Sequence, residues 1–227
     1  MLLYIVLMLP AIALTLWAQA KVQGTYKKYS QVPATVTGAQ AARRVLDAEG
    51  LQGVAIEAIP GELTDHYDPR SRVLRLSQGV YGVNSISAIG IAAHEAGHAI
   101  QHARAYAPLK VRTAIVPAVN IGSNLGFGLL FLGLIMNNQA LAWAGVILFS
   151  LTTIFTLVTL PVEFDASRRA KEALVAVGLA DGGVRGGEDS KGVAAVLNAA
   201  AWTYVAAFVT SLVTLLYYIS MISGRRD

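Results

Sequence analysis

The chain contains no cysteine, and its 227 residues carry little charge. Without cysteine there is no disulfide, and any zinc site must use histidine, carboxylate or water ligands. Charged residues make up 14% of the chain, whereas about 25% is typical of soluble domains. The net charge is +4, yet lysine and arginine form no dense run and no stripe interleaved with aromatic residues. This composition argues against nucleic acid as a partner.

Three long blocks, residues 1–20, 113–162 and 192–224, have no charged residue. A membrane-spanning helix needs about 20 mostly apolar residues. The first and third blocks each fit one such helix, and the second fits two, with Asn137–Gln139 as the polar turn. A small-x-small sequence precedes Lys21, but no basic residue precedes the apolar run, which favours an anchor over a cleaved signal peptide. We therefore expect a mainly α integral membrane protein with about four transmembrane helices.

The basic residues predict how the chain is oriented. Eleven of the 18 lysines and arginines lie in the range 21–112, and five more lie in 168–191. Cytoplasmic loops carry an excess of these residues, so we expect both ranges in the cytosol. The N-terminus, the Asn137–Gln139 turn and the C-terminal tail then lie outside, with only Arg225 and Arg226 opposing this assignment.

Five segments follow from these blocks. They are an N-terminal transmembrane anchor (1–20), a cytosolic α+β segment (21–110), a transmembrane hairpin (111–160), a cytosolic helix with a flexible Gly-rich loop (161–191), and a last transmembrane helix with its tail (192–227). Pro161 predicts a break before the fourth segment, because proline suits the first turn of a helix. That helix is expected to end near Gly178.

The second segment contains a small α+β element. Thr37 and Gly50 bound a predicted first helix. The sequence "VAIEAI" and the sequence "RVLRLS" (Arg72–Ser77) predict two short strands, separated by a turn at Pro69. Asn84 or Ser85 can cap a second helix.

This second helix carries His94, Glu95 and His98. Residues four apart share one helix face, so both imidazoles point to one place, as in zinc-binding H-E-x-x-H sequences. Glu95 lies about 100° further round the axis, where it can take a proton from water beside a metal. Gly97 leaves room for a neighbouring helix. The alternative is an alanine-rich helix whose histidines serve only its packing.

A catalytic zinc ion usually has three protein ligands and one open position. Glu163 is the first charge after the uncharged block 113–162, and a membrane hairpin would return it to the side of His94 and His98. It is the leading third ligand; an interfacial carboxylate favoured by the helix dipole is the alternative. His102 would be poorly placed for tetrahedral geometry, so we expect it to support the fold or the ligands.

The sequences "AAHEAGHAIQ" and "PVEFDASRRA" together resemble the YugP-type family of membrane neutral zinc metallopeptidases, over nearly the whole chain. The resemblance implies that the cytosolic α+β element is zincin-like and binds one zinc ion, with Glu95 as the catalytic base and three ligands: His94, His98 and Glu163. A more distant similarity is to membrane CAAX prenyl-proteases and heat-shock membrane proteases, in which an aspartate follows the ligand glutamate by four positions. Here that position is a serine, which leaves three candidates for orienting the site: Asp165, Ser167 and Arg168.

In such peptidases a strand ahead of the metal helix commonly pairs with the substrate backbone. Strand addition needs an exposed edge, and Arg72–Ser77 is the candidate strand. His66 or Tyr67 could donate to the developing oxyanion, or could simply flank a turn.

These observations predict a zinc-dependent endopeptidase at the cytosolic membrane surface. The expected partners are a polypeptide substrate, membrane-associated or soluble, the lipid bilayer, and either another membrane protein or further copies of the chain. The alternative is a non-catalytic zinc-binding scaffold, or a chaperone or partner of another membrane protease. A transporter is disfavoured, because the uncharged blocks lack ionisable groups for the bilayer centre.

Overall fold

The computed structural model describes residues 2–180 and 187–224, with side chains from Val6 onward. Most of the predicted Gly-rich loop (181–186) and the predicted external Arg225 and Arg226 lie outside the described residues. The described part is mainly helical. Its elements are α1 (Leu2–Ser30), α2 (Gly38–Ala48), β1 (Ala55–Ile59), β2 (His66–Asp68), β3 (Val73–Ser77), α3 (Gln78–Tyr81), α4 (Ile86–Ala103), α5 (Ala107–Ile135), α6 (Gln139–Ala176) and α7 (Gly187–Ser223).

Four helices are long and apolar enough to cross a membrane: α1, α5, α6 and α7. The prediction of four such helices is confirmed. Only 17 to 28% of the residues in their apolar windows are buried inside the protein. Large apolar side chains such as Ile121 and Ile135 are therefore exposed, which suits helices whose remaining faces meet lipid.

The chain forms two compact units, and we name each by its content. The membrane unit comprises Met1–Ala18, Ala107–Pro161 and Trp202–Asp227. The site unit comprises Gln19–Tyr106 and Val162–Ala201. Helices α1, α6 and α7 each contribute residues to both.

Within the membrane unit, α5 and α6 form the predicted hairpin. The turn lies at Asn137, which has a positive φ of 49°, and the Asn138 side chain accepts a hydrogen bond from Leu141 N–H in the first turn of α6. A Cβ on Gly133 would collide with the backbone of Ala142. Small residues thus let the two helices approach closely, as is common between membrane helices.

Within the site unit, α2 begins and ends as its sequence predicts. Thr37 and Gln40 form a reciprocal capping box, and Gly50 adopts a φ of 75° after the helix, a conformation that favours glycine. The apolar face of α2 is fully buried and joins the core of this unit with α4 and β3. Its buried residues include Ala41, Ala42, Val45 and Leu46.

The sheet of the site unit has the order β1-β3-β2, with β1 parallel and β2 antiparallel to β3. The two predicted strands form as β1 and β3. However, the prediction that Arg72–Ser77 offers an exposed edge is wrong, because β3 is the central strand and is paired on both sides. The short strand His66–Asp68, which the sequence pattern did not reveal, pairs with β3 on the side opposite β1.

Three predicted boundaries differ from the structure. Pro161 does not break α6, which continues to Ala176; in membrane helices other groups can satisfy the carbonyl that a proline leaves free. Helix α1 continues beyond residue 20 to Ser30, and α7 begins at Gly187, ahead of the predicted start at 192. The predicted stop near Gly178 is confirmed by its φ of 71°.

Candidate metal centre

Helices α4 and α6 bring together the three residues predicted as metal ligands. The ligand atoms of His94, His98 and Glu163 all lie within 4.8 Å of one another. Glu163 Oε2 lies 3.1 Å from His94 Nε2 and 3.5 Å from His98 Nε2. The three side chains are only 11%, 11% and 3% exposed. One carboxylate oxygen and two imidazole nitrogens therefore converge on one enclosed point.

Gly97 explains how α6 comes so close to α4. A Cβ at this position would lie 2.6 Å from the carbonyl oxygen of Ala166, a distance that real Cβ atoms essentially never show. The backbones of the two helices therefore meet where glycine leaves room, as the sequence predicts. Ala166 lies between Glu163 and Ser167 on α6, so this contact also places both of those residues beside α4.

Ser167 contacts the outer nitrogen of the first histidine. Its Oγ lies 3.1 Å from His94 Nδ1, and the serine is 5% exposed. With Nδ1 bound to Ser167, His94 presents Nε2 to Glu163. A partner on the outer ring nitrogen is the usual way in which proteins orient a metal-binding histidine.

Gln101 contacts the outer nitrogen of the second histidine, and sequence reasoning missed it. Its Oε1 lies 3.0 Å from His98 Nδ1. Its Nε2 donates to Val162 O at 2.7 Å and to Asp165 Oδ2 at 3.0 Å. The sequence offers one indication of this role: Gln101 is a polar residue that follows His98 by about one helical turn, after the apolar Ala99 and Ile100.

Asp165 and Arg168, two of the predicted orienting residues, lie further out. The Asp165 carboxylate accepts hydrogen bonds from Arg168 and Arg169 as well as from Gln101. Arg168 also pairs with Glu172. Asp165 is thus connected to His98 by way of Gln101, which hydrogen-bonds to both. Arg168 is one contact further away, because it hydrogen-bonds to Asp165.

Glu95 is held by the backbone of β2. Its Oε2 accepts a hydrogen bond of 3.0 Å from Tyr67 N–H. Burial raises the pKa of Glu95, against the opposing effect of the neighbouring His98 and His94. With a raised pKa, Glu95 accepts a proton more readily than an exposed glutamate does.

The remaining candidates do not join the group of ligand atoms. The hydroxyl of Tyr67 hydrogen-bonds to His102 Nδ1 at 2.9 Å, so these two side chains partner each other. His66 is exposed, and its Nδ1 lies 2.9 Å from the carbonyl oxygen of Thr64. Tyr67 therefore touches the centre through its backbone N–H, not through its side chain.

The donor set fits a zinc ion. Two imidazoles and one carboxylate are a common ligand set of catalytic zinc sites, in which a fourth position stays open. The outer nitrogens of both histidines are occupied by hydrogen-bond partners, which leaves both Nε2 atoms for a metal. Four apolar helices and this buried centre define the chain as a candidate membrane metalloprotein.

Comparison with known proteins identifies the family. A family model described as "putative neutral zinc metallopeptidase" matches residues 4–223, and the chain belongs to this family. The chain is also 48% identical over 228 residues to the protein named "Putative membrane protease YugP" of Bacillus subtilis (strain 168), covering 99% of each. No solved structure matches the chain. The predicted family resemblance is confirmed.

Proposed function

We propose that the protein is a zinc-dependent membrane endopeptidase that hydrolyses peptide bonds at the cytosolic membrane surface. The observation that carries this proposal is the convergence of His94, His98 and Glu163, whose ligand atoms lie within 4.8 Å of one another. A further carboxylate, Glu95, stands next to the first histidine on the same helix. The family name and the name of the relative, which describe a metallopeptidase and a membrane protease, agree with this combination.

The three ligands would hold one zinc ion, which when bound polarises the peptide carbonyl and activates water. Glu95 acts as the base that accepts a proton from the attacking water and returns it to the leaving amine. Tyr67 N–H fixes the Oε2 atom of Glu95, so we assign the proton transfer to Oε1. Ser167 keeps the His94 ring turned so that its Nε2 faces Glu163.

The substrate backbone is expected to bind along β2. This strand is at one edge of the sheet, and Tyr67 N–H points to Glu95, away from its partner strand β3. An extended peptide can add to such an edge through main-chain hydrogen bonds. Because Tyr67 N–H already donates to Glu95, we expect the Tyr67 carbonyl oxygen to accept from the substrate. The strand that receives the substrate would therefore be His66–Asp68 in place of the central strand Val73–Ser77.

The sequence supports a site next to the cytosolic face of the bilayer. Glu163 follows directly on the uncharged block 113–162, so no linker separates this ligand from the apolar part of α6. His94 and His98 lie within the basic range 21–112, and Glu163 lies five residues before the basic range 168–191; both ranges favour the cytosol. Membrane-associated polypeptides are accordingly the substrates we propose.

Metal content and cleavage test the proposal together. Wild-type protein and the Glu95→Gln variant are purified in detergent, their zinc is measured, and both are incubated with an unfolded membrane protein. We expect one zinc ion in each protein and cleavage by the wild type only. The exposed Glu57→Gln variant is the matched control and should cleave normally.

Two results would contradict parts of the proposal. Equal cleavage by wild type and Glu95→Gln would remove Glu95 as the base. Stoichiometric zinc without cleavage of soluble or membrane substrates would instead support the non-catalytic scaffold.

A further inference from the structure

Gln101 is a polar side chain enclosed between α4 and the part of α6 that belongs to the site unit. It is 0% exposed, and burying an amide is unfavourable unless both of its ends are hydrogen-bonded. Here both ends have partners. The oxygen lies 3.0 Å from His98 Nδ1, and the nitrogen donates to Val162 O and Asp165 Oδ2.

The partners of Gln101 dictate which way its amide points. Val162 O is a carbonyl oxygen, and the Asp165 carboxylate accepts from Arg168 and Arg169, so both can only accept. The NH₂ end of Gln101 must face them, because the reversed amide would bring its oxygen against two other oxygens. The oxygen of Gln101 must then face the histidine.

The orientation of the Gln101 amide also determines the tautomer of His98. The amide oxygen cannot donate, so Nδ1 of His98 must carry the hydrogen. An imidazole with its hydrogen on Nδ1 has its lone pair on Nε2, and Nε2 is the atom that lies 3.5 Å from Glu163 Oε2. A serine hydroxyl can donate or accept, so Ser167 exerts no such control over His94.

From this geometry we infer that Gln101 is a positioning residue, which fixes both the ring orientation and the tautomer of His98 for metal binding. The inference rests on the proposed metal centre. Gln101 is itself held by Asp165, and Asp165 by the two arginines. A change at Gln101 therefore affects His98 without removing any metal ligand.

The first test replaces Gln101 by methionine, which has a similar length and no hydrogen bonds to offer. The exposed Gln52→Met variant of the same unit is the control, since Gln52 only donates to Asp47 O. Zinc affinity is measured by competition with a chromophoric chelator. We expect Gln101→Met to weaken zinc binding about 10- to 100-fold, as for other partners of metal-binding histidines, and Gln52→Met to leave it unchanged.

A second readout reports on the histidine itself. In zinc-loaded protein with ¹⁵N-labelled histidine, the Nδ1–H of His98 should exchange slowly with solvent in the wild type. In Gln101→Met this resonance should broaden or disappear, because its acceptor is lost. A role of Gln101 in packing alone would leave the resonance in place.

A reciprocal exchange keeps the inference testable should Gln101→Met fail to fold. Gln101→Glu retains an acceptor for His98 but sets a carboxylate against Val162 O and Asp165, so zinc affinity should fall. Adding Asp165→Asn supplies a donor, and the double variant should bind zinc more tightly than Gln101→Glu alone. No recovery in the double variant, or a Gln101→Met variant with wild-type affinity and an unchanged resonance, overturns the inference. A wild type that binds no zinc overturns the metal centre as well.

Discussion

The α4 backbone at Gly97 meets the α6 backbone at Ala166, and a Cβ on Gly97 would lie 2.6 Å from the Ala166 carbonyl oxygen. This contact lies one turn from His94 and beside Glu163. Because Gly97 has no side chain, α4 and α6 can approach closely there. The distance between the predicted ligands on the two helices therefore depends on this glycine.

We expect Gly97→Ala to destabilise the site unit and to weaken zinc binding. Alanine favours a helix over glycine by about 1 kcal/mol, but overpacking against a backbone carbonyl costs about 1–3 kcal/mol. The new methyl group would also push Glu163 away from the histidines. Thermal unfolding in detergent and chelator competition measure the two effects.

Gly90→Ala is the control for Gly97→Ala. It lies on the same helix, but its added Cβ would meet Val193 at ordinary distances, 3.7 Å from the side chain and 3.9 Å from Cα. This variant should keep its zinc affinity and gain helix stability. If Gly97→Ala binds zinc as tightly as Gly90→Ala, the close helix contact does not place Glu163.

The second prediction concerns the contact between Ser167 and His94. Ser167→Ala removes the partner of Nδ1 and should weaken zinc binding about tenfold or more. Ser167→Asp offers a carboxylate in the same place and should restore the affinity, because hydrogen bonds to an ionised acceptor are stronger. Chelator competition measures both variants.

A buried serine of the same unit provides the control for this pair. Ser87 is 1% exposed and hydrogen-bonds to Ser85, not to a ligand, so Ser87→Ala should bind zinc normally. An aspartate variant that binds more weakly than Ser167→Ala would show that the Ser167 position does not support His94.

The parts of the fold that could be predicted from sequence depend on local properties. An uncharged stretch of sufficient length predicts a membrane helix wherever it occurs, so four such helices were predictable. The spacing of His94 and His98 on one helix is equally local. The position of Glu163 beside the two histidines was predictable as well, because a hairpin returns the chain to the side from which it started.

The parts that sequence reasoning missed depend on partners far along the chain. β2 has only three residues, His66–Asp68, too few to show an alternating pattern, and it exists because β3 pairs with it. Gln101 resembles any helix glutamine until Val162 and Asp165, 61 and 64 residues later, are beside it. Pro161 misled the prediction in a different way. Proline usually interrupts a helix, but α6 continues through Pro161 to Ala176.

The third prediction tests whether Glu163, the proposed third ligand, is needed for zinc binding when another carboxylate of α6 is not. Glu163→Ala should lose zinc on dialysis, because two histidines alone hold it weakly compared with three ligands. Glu172→Ala on the same helix should retain zinc, since Glu172 is 62% exposed and pairs with Arg168. Zinc measured by mass spectrometry of the dialysed proteins decides between them; full retention in Glu163→Ala would remove Glu163 from the ligand set.

The last prediction concerns the side of the membrane that holds the centre. Because the chain has no cysteine, single cysteines can be introduced and labelled without background. Asn137→Cys, in the exposed turn of the α5–α6 hairpin, should react with a membrane-impermeant maleimide on intact cells. Glu62→Cys, at an exposed position of the site unit, should react only after the cells are opened.

The unsubstituted protein should stay unlabelled in both conditions, and opened cells should label both variants, which controls for accessibility. The expected pattern follows from sixteen basic residues in the ranges 21–112 and 168–191, because basic loops stay in the cytosol. Labelling of Glu62→Cys on intact cells, with Asn137→Cys protected, would reverse the topology. The ligands would then face the outside, and the proposed substrates would be extracytoplasmic chains.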